Sequence, residues 1–152
     1  MVTNGSAVLS FATVGASAGQ VIQVLSATDS TERSTTSGSF VTGSNTLSVT
    51  ITPSSASNKI LILYSTAAAA GATAQVWTTI YRGATNLGTG NGFAETYNDA
   101  GFTVATNSTC YLDSPSTTSA TTYQVYYRSS GGTVYLNKDS CRGVITVMEI
   151  KG

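Results

Sequence analysis

The chain contains no histidine, and only 9% of its 152 residues are charged. Without an imidazole, the usual hydrolytic triads lose their base and most transition-metal sites lose their commonest ligand. An ordinary soluble domain carries about 25% charge, so solubility here rests on the hydroxyls and amides of Ser, Thr and Asn. The seven basic and seven acidic residues cancel, leaving no net field to attract nucleic acid or anionic lipid. Nucleic acid is therefore not an expected partner. The longest nearly apolar run, residues 60–72, is interrupted by Ser65, Thr66 and Gly71. It falls short of the roughly 20 residues a membrane helix needs, and no membrane insertion is expected. No basic residue precedes the apolar patch of residues 7–11, so no secretory signal is read there and synthesis in the cytoplasm is expected. Cys110 and Cys141 are the only cysteines. They read either as one disulfide or as two semi-buried small hydrophobes.

What the sequence does have is a succession of short Thr/Ser/Val/Tyr-rich segments separated by Ser, Gly and Asn. Residues 21–27 open the series. Leu47, Val49 and Ile51 alternate with polar neighbours as in a half-buried strand, and Pro53 ends it. Residues 59–66 follow, with an apolar pentad at 60–64 that leaves neither face polar. In an antiparallel sandwich one face ordinarily meets water, so this pattern predicts cover by another layer or subunit. The alanines of residues 67–72 read as strand continuation. Val76, Thr78 and Ile80 oppose Trp77, Thr79 and Tyr81, and Tyr123, Val125 and Tyr127 oppose Gln124, Tyr126 and Arg128. Residues 108–113, 133–137 and 144–150 complete the set, with Ser130-Gly131-Gly132 read as a hairpin turn. Strands at this spacing, with no convincing helix, predict an all-β fold, an antiparallel β-sandwich of jelly-roll type. Residues 1–18 read as an N-terminal arm and residues 19–152 as the sandwich domain.

Five segments carry a resemblance. They are Gly19-Gln-Val-Ile-Gln-Val-Leu25, Ile51-Thr-Pro-Ser-Ser-Ala-Ser-Asn-Lys-Ile-Leu-Ile-Leu63 and Ile80-Tyr-Arg-Gly-Ala-Thr-Asn-Leu-Gly88, followed by residues 112–125 and 145–150. Taken in order, they resemble a domain recurrent in tailed-bacteriophage virion proteins, including the C-terminal regions of tail fibres and capsid decoration proteins. The resemblance implies a structural role in the virion and a homotrimer, and it brings no catalytic residue. A short arm ahead of the domain fits a capsid decoration, or cement, protein. The major capsid protein is then the expected partner, with Val8, Leu9 and Phe11 as a hydrophobic hook. Ile60, Ile62, Tyr64 and Trp77 are the expected subunit-interface residues. The alternative is a tail-fibre or receptor-binding tip that recognises a host-surface glycan through Phe93, Tyr97 and Phe102. These rings lie in a Gly- and Asn-containing segment where they could stack on sugar.

Enzymatic readings are weaker. The acidic residues fall mainly in turns or at strand ends, where carboxylates cap backbone, so no glycosidase pair is assigned. Glu149, set between Met148 and Ile150, is expected to pair with Arg82, Arg128 or Arg142, because an unpaired buried charge is costly. No Asp-x-Asp-x-Asp-Gly loop supports calcium near Asn98-Asp99. Gly88–Gly92 does not join a strand to a helix and is no phosphate cradle. No cofactor, metal or catalytic residue is assigned.

Overall fold

The computed structural model describes Gly15 and residues 17–152, and these residues form two antiparallel sheets and no α-helix. The strands are β1 (Val21–Asp29), β2 (Arg33–Thr35), β3 (Ser48–Ile51), β4 (Lys59–Ala70), β5 (Gln75–Arg82), β6 (Thr85–Asn86), β7 (Ala94–Tyr97), β8 (Thr103–Asp113), β9 (Thr121–Ser129), β10 (Val134–Leu136) and β11 (Gly143–Ile150). The first sheet runs β1–β11–β4–β8, with β10 and β2 continuing the ladder beyond the ends of β11 and β1. The second runs β3–β9–β5, where β6 and β7 share the far edge of β5. The fold is a β-sandwich, as the strand periodicity predicts.

The period-two alternation explains the packing. In β4, Ile60, Ile62 and Tyr64 point inward. They meet Val76 and Ile80 of β5, Tyr123, Val125 and Tyr127 of β9, and Ile145 and Val147 of β11 in one cluster. β4 continues through the alanines to Ala70. Their small side chains let the ladder to β8 run unbroken over all eleven of that strand's residues. β8 is consequently longer than the 108–113 segment read from sequence, because pairing with β4 imposes strand on residues that have no hydrophobic alternation of their own.

Two glycines answer to specific geometry. Gly83 takes a φ of 55° in the two-residue turn joining Arg82 to Thr85, where only the first turn residue has a positive φ. That is the type II′ arrangement, which favours glycine at its first position. Gly43 also has a φ of 55°, and a Cβ there would collide with the Tyr127 ring. The Ser130–Gly132 turn, expected as a hairpin, instead carries the chain from the second sheet to the first. Both edges of β9 are already taken by β3 and β5.

Candidate functional site

The outer face of the first sheet is the most unusual surface of the domain. Lys59 opens the outward-facing set of β4, and Leu61, Leu63, Ser65 and Ala67 follow it. In register, Leu61 stands between Met148 of β11 and Leu112 of β8, and Leu63 between Thr146 and Cys110. One strand further out, Val24 lies beside Met148 and Ser26 beside Thr146. None of these paired positions beyond Lys59 carries a charge. Lys138 marks the opposite end, its ammonium 5.0 Å from the Tyr135 ring centroid and 5.6 Å from that of Phe102. At the centre, Ser65, Ser108 and Thr146 are too small to fill the plane of the face. They leave a shallow depression of about 360 Å³, rimmed by Leu63, Cys110 and Val144.

Among the described residues the same sheet ends in two long unpaired edges. Among these residues β1 pairs as a strand only with β11, and β8 only with β4. Val24 at 53% exposure and Leu112 at 46% stand among the largest exposed apolar side chains. Folded proteins ordinarily blunt such edges with charge, proline or bulges. Residues 21–28 and 103–112 contain no charged residue and no proline, and the sole irregularity in the β1 ladder is a bulge near Ile22.

The outer face of the second sheet is furnished differently. Tyr81 and Tyr126 stack at 4.1 Å between centroids, and Phe40 meets Tyr81 edge-on. The Arg128 guanidinium lies 3.9 Å from the Trp77 ring centroid and 5.2 Å from that of Phe40. It donates to the carbonyl oxygens of Gly38 and Gly90 and to Asn91 Oδ1. Trp77 Nε1 donates to Glu95 at 2.7 Å. This cation–π stack pins two loops across the sheet.

Several expected site residues need correction. Ile60, Ile62 and Tyr64, expected at a subunit interface, are core residues buried within their own chain. Their outward neighbours Leu61 and Leu63 hold the available face. The sequence supplied a signal for this phase, since charged Lys59 shares parity with Leu61 and Leu63. Trp77 is likewise covered by Arg128 and is 8% exposed. Of the three expected glycan-stacking rings, Phe93 packs against the core and lies 5.0 Å from Tyr111. Tyr97 and Phe102 are half-exposed, and Phe102 meets Tyr135 edge-on. Val8, Leu9 and Phe11 lie outside the described residues. Cys110 and Cys141 are free and exposed, so they are neither bridged nor buried packing groups.

No family model matches the chain, and no curated protein matches it. Among the described residues there is no group of three or more His, Cys, Asp or Glu side chains that could hold a metal ion.

The buried carboxylates are occupied by donors from the chain itself. Glu149 pairs with none of the three arginines. It accepts from Gln23 Nε2 at 2.6 Å, from Ser54 N and Oγ at 2.7 and 2.8 Å, and from Asn58 Nδ2 at 2.5 Å. Burial alone would raise its pKa, but the bonds from Asn58, Gln23 and Ser54 outweigh burial and hold it at about 2. Arg82 instead forks onto Asp113 at 2.8 and 2.9 Å, and Tyr123 donates to the same carboxylate at 2.7 Å. Burial and that carboxylate together push the Tyr123 phenol far above its usual range. Asp29 accepts from the backbone of Thr31 and Thr46; burial raises its pKa, but these bonds and Arg33 lower it overall.

Proposed function

We propose that the chain is a non-enzymatic structural protein of a phage virion, a jelly-roll homotrimer that decorates and reinforces the capsid. The observation that carries this reading is the broad uncharged outer face of the first sheet, bounded by two long open edges. Such a surface is stable when another protein covers it, and repeated small contacts on a symmetric shell gain strength by avidity. Strand order supports the jelly-roll reading. The eight main strands run β1–β11–β4–β8 across one sheet and β3–β9–β5–β7 across the other, the interleaving produced by rolling up two Greek keys. The non-enzymatic reading is supported by Asp113 and Glu149, whose oxygens are filled by structural donors. The segments that resemble phage virion domains supply the setting, with the major capsid protein as partner and the particle surface as location.

The test is re-binding. Purified protein is added to particles stripped of it, beside a variant lacking Met1–Ala18. Saturable occupancy by the full chain supports decoration, and weaker occupancy by the truncated chain assigns attachment to the arm. Failure of the full chain to bind any shell rejects the capsid role.

A second reading, a tail-fibre or receptor-binding tip that recognises host glycan, is favoured by the half-exposed Tyr97 and Phe102, the latter beside Tyr135 and Lys138. Glycan-array binding that is lost in Phe102→Ala would favour the tip.

A further inference from the structure

We propose that three copies close edge to edge, β1 of one against β8 of the next, into a ring whose interior is the uncharged outer face of the first sheet. This deepens the trimeric reading above and rests on it.

Strand direction permits the joint. Each neighbouring pair across β1, β11, β4 and β8 is antiparallel, so β1 and β8 run in opposite directions. Rotation about an axis along the strands preserves those directions. It brings β1 of the next copy antiparallel to β8, and the alternation continues around the ring. Neither edge carries a charged side chain or a proline to block pairing, from Val21 to Thr28 or from Thr103 to Leu112.

Sheet dimensions set the number. Neighbouring strands lie about 4.8 Å apart, so a four-stranded sheet is roughly 19 Å wide. Three such sheets set as a triangle have their mid-planes about 5.5 Å from the axis. Packed sheets lie about 10 Å apart, or about 5 Å from mid-plane to contact, so the side chains of three faces just fill the prism. Four copies would stand about 9.5 Å from the axis and leave a channel lined by leucine. Two copies can stack their faces but cannot join both pairs of edges.

The surface suits such burial. Leu61, Leu63, Met148 and Val144 occupy its middle, and Val24 and Leu112 its flanks. No charge lies between the lysines at its ends, so closure buries no ion. A strip roughly 19 Å wide and 26 Å long amounts to about 500 Å² per copy, and closure buries it together with the two strand edges, whose backbone groups then pair across each joint.

Cys110 supplies a native probe, since it is exposed and in register with Leu63 on the outer face. With Cys141→Ser to remove the other thiol, Val24→Cys, Ser26→Cys and Thr28→Cys are made singly and oxidised. Within one copy β1 and β8 are three strand spacings apart, roughly 14 Å. A disulfide requires Cα atoms within about 7 Å, so any bridge formed between these strands joins two copies. The expected result is a covalent trimer from at least one variant, running as one band on a non-reducing gel, and none from Cys141→Ser alone. Three positions guard against one variant failing to fold. A trimer by sedimentation that none of them locks overturns the ring and leaves the trimer standing. Covalent dimers from Cys141→Ser alone assign β8 to a two-fold joint with itself and also overturn the ring. A monomer at micromolar concentration overturns both ring and trimer, whereas shell re-binding tests the capsid role separately.

Discussion

Replacing Glu149 with Gln tests the buried polar network at the end of the first sheet. Glu149 is fully buried and accepts from Gln23, Ser54 and Asn58, which tie β1 and the β3–β4 turn to β11. These bonds lower its pKa from 4.5 to about 2, equivalent to about 3 kcal/mol of folding stability. The folded-state pKa lies below the unfolded one, so this contribution is complete above about pH 4.5 and is lost as pH falls toward 2. A glutamine stands in for the protonated acid: neutral throughout and turning N–H groups toward donors, it forgoes that contribution at every pH. Urea unfolding is followed by the fluorescence of Trp77, the only tryptophan, at one fixed protein concentration from pH 7 to pH 2. Near pH 7 the variant should be about 3 kcal/mol less stable. The gap should narrow below pH 4.5 and close to within about 1 kcal/mol by pH 2. Asp29 titrates in both proteins and cancels in the difference. A gap that stays constant across the range refutes the assignment of a depressed pKa to Glu149.

Ile62→Ala should cost about 2–5 kcal/mol of folding stability, because its side chain fills the core. Leu63→Asp should leave the sandwich folded by circular dichroism but abolish self-association in sedimentation; the reverse pattern would invert the faces. Gly43→Ala should destabilise by more than about 1 kcal/mol in urea unfolding, since a left-handed φ and the Tyr127 ring both oppose a Cβ. A loss below a few tenths would discount that contact. Cys141 should react with iodoacetamide in native protein without prior reduction. Cys110 should do so only in a monomeric variant such as Leu63→Asp, and protection of Cys141 or of both thiols there would contradict their free, exposed state.

Strand positions were largely legible, because alternation such as Val76-Trp77-Thr78 records which side meets the core. The two-faced pentad at 60–64 was also legible as a surface requiring cover, yet its phase was not. Ile and Leu on opposite faces have nearly equal hydrophobicity, and only Lys59 marks the outward parity. The full length of β8 was hidden because Thr, Asn and Ser adopt strand there through pairing with β4. Glu149 was readable as buried but not as amide-bound, since Gln23, Ser54 and Asn58 meet it only after the sheets form. The Arg128–Trp77 stack depends on a β5–β9 register that no local motif encodes.

The proposed capsid role is tested most directly by cryo-microscopy of the intact particle whose genome encodes this chain. The expected result is three-fold density on the shell into which three sandwiches fit with the outer faces of their first sheets turned inward. Density for these sandwiches at the tail, with none on the shell, would contradict it.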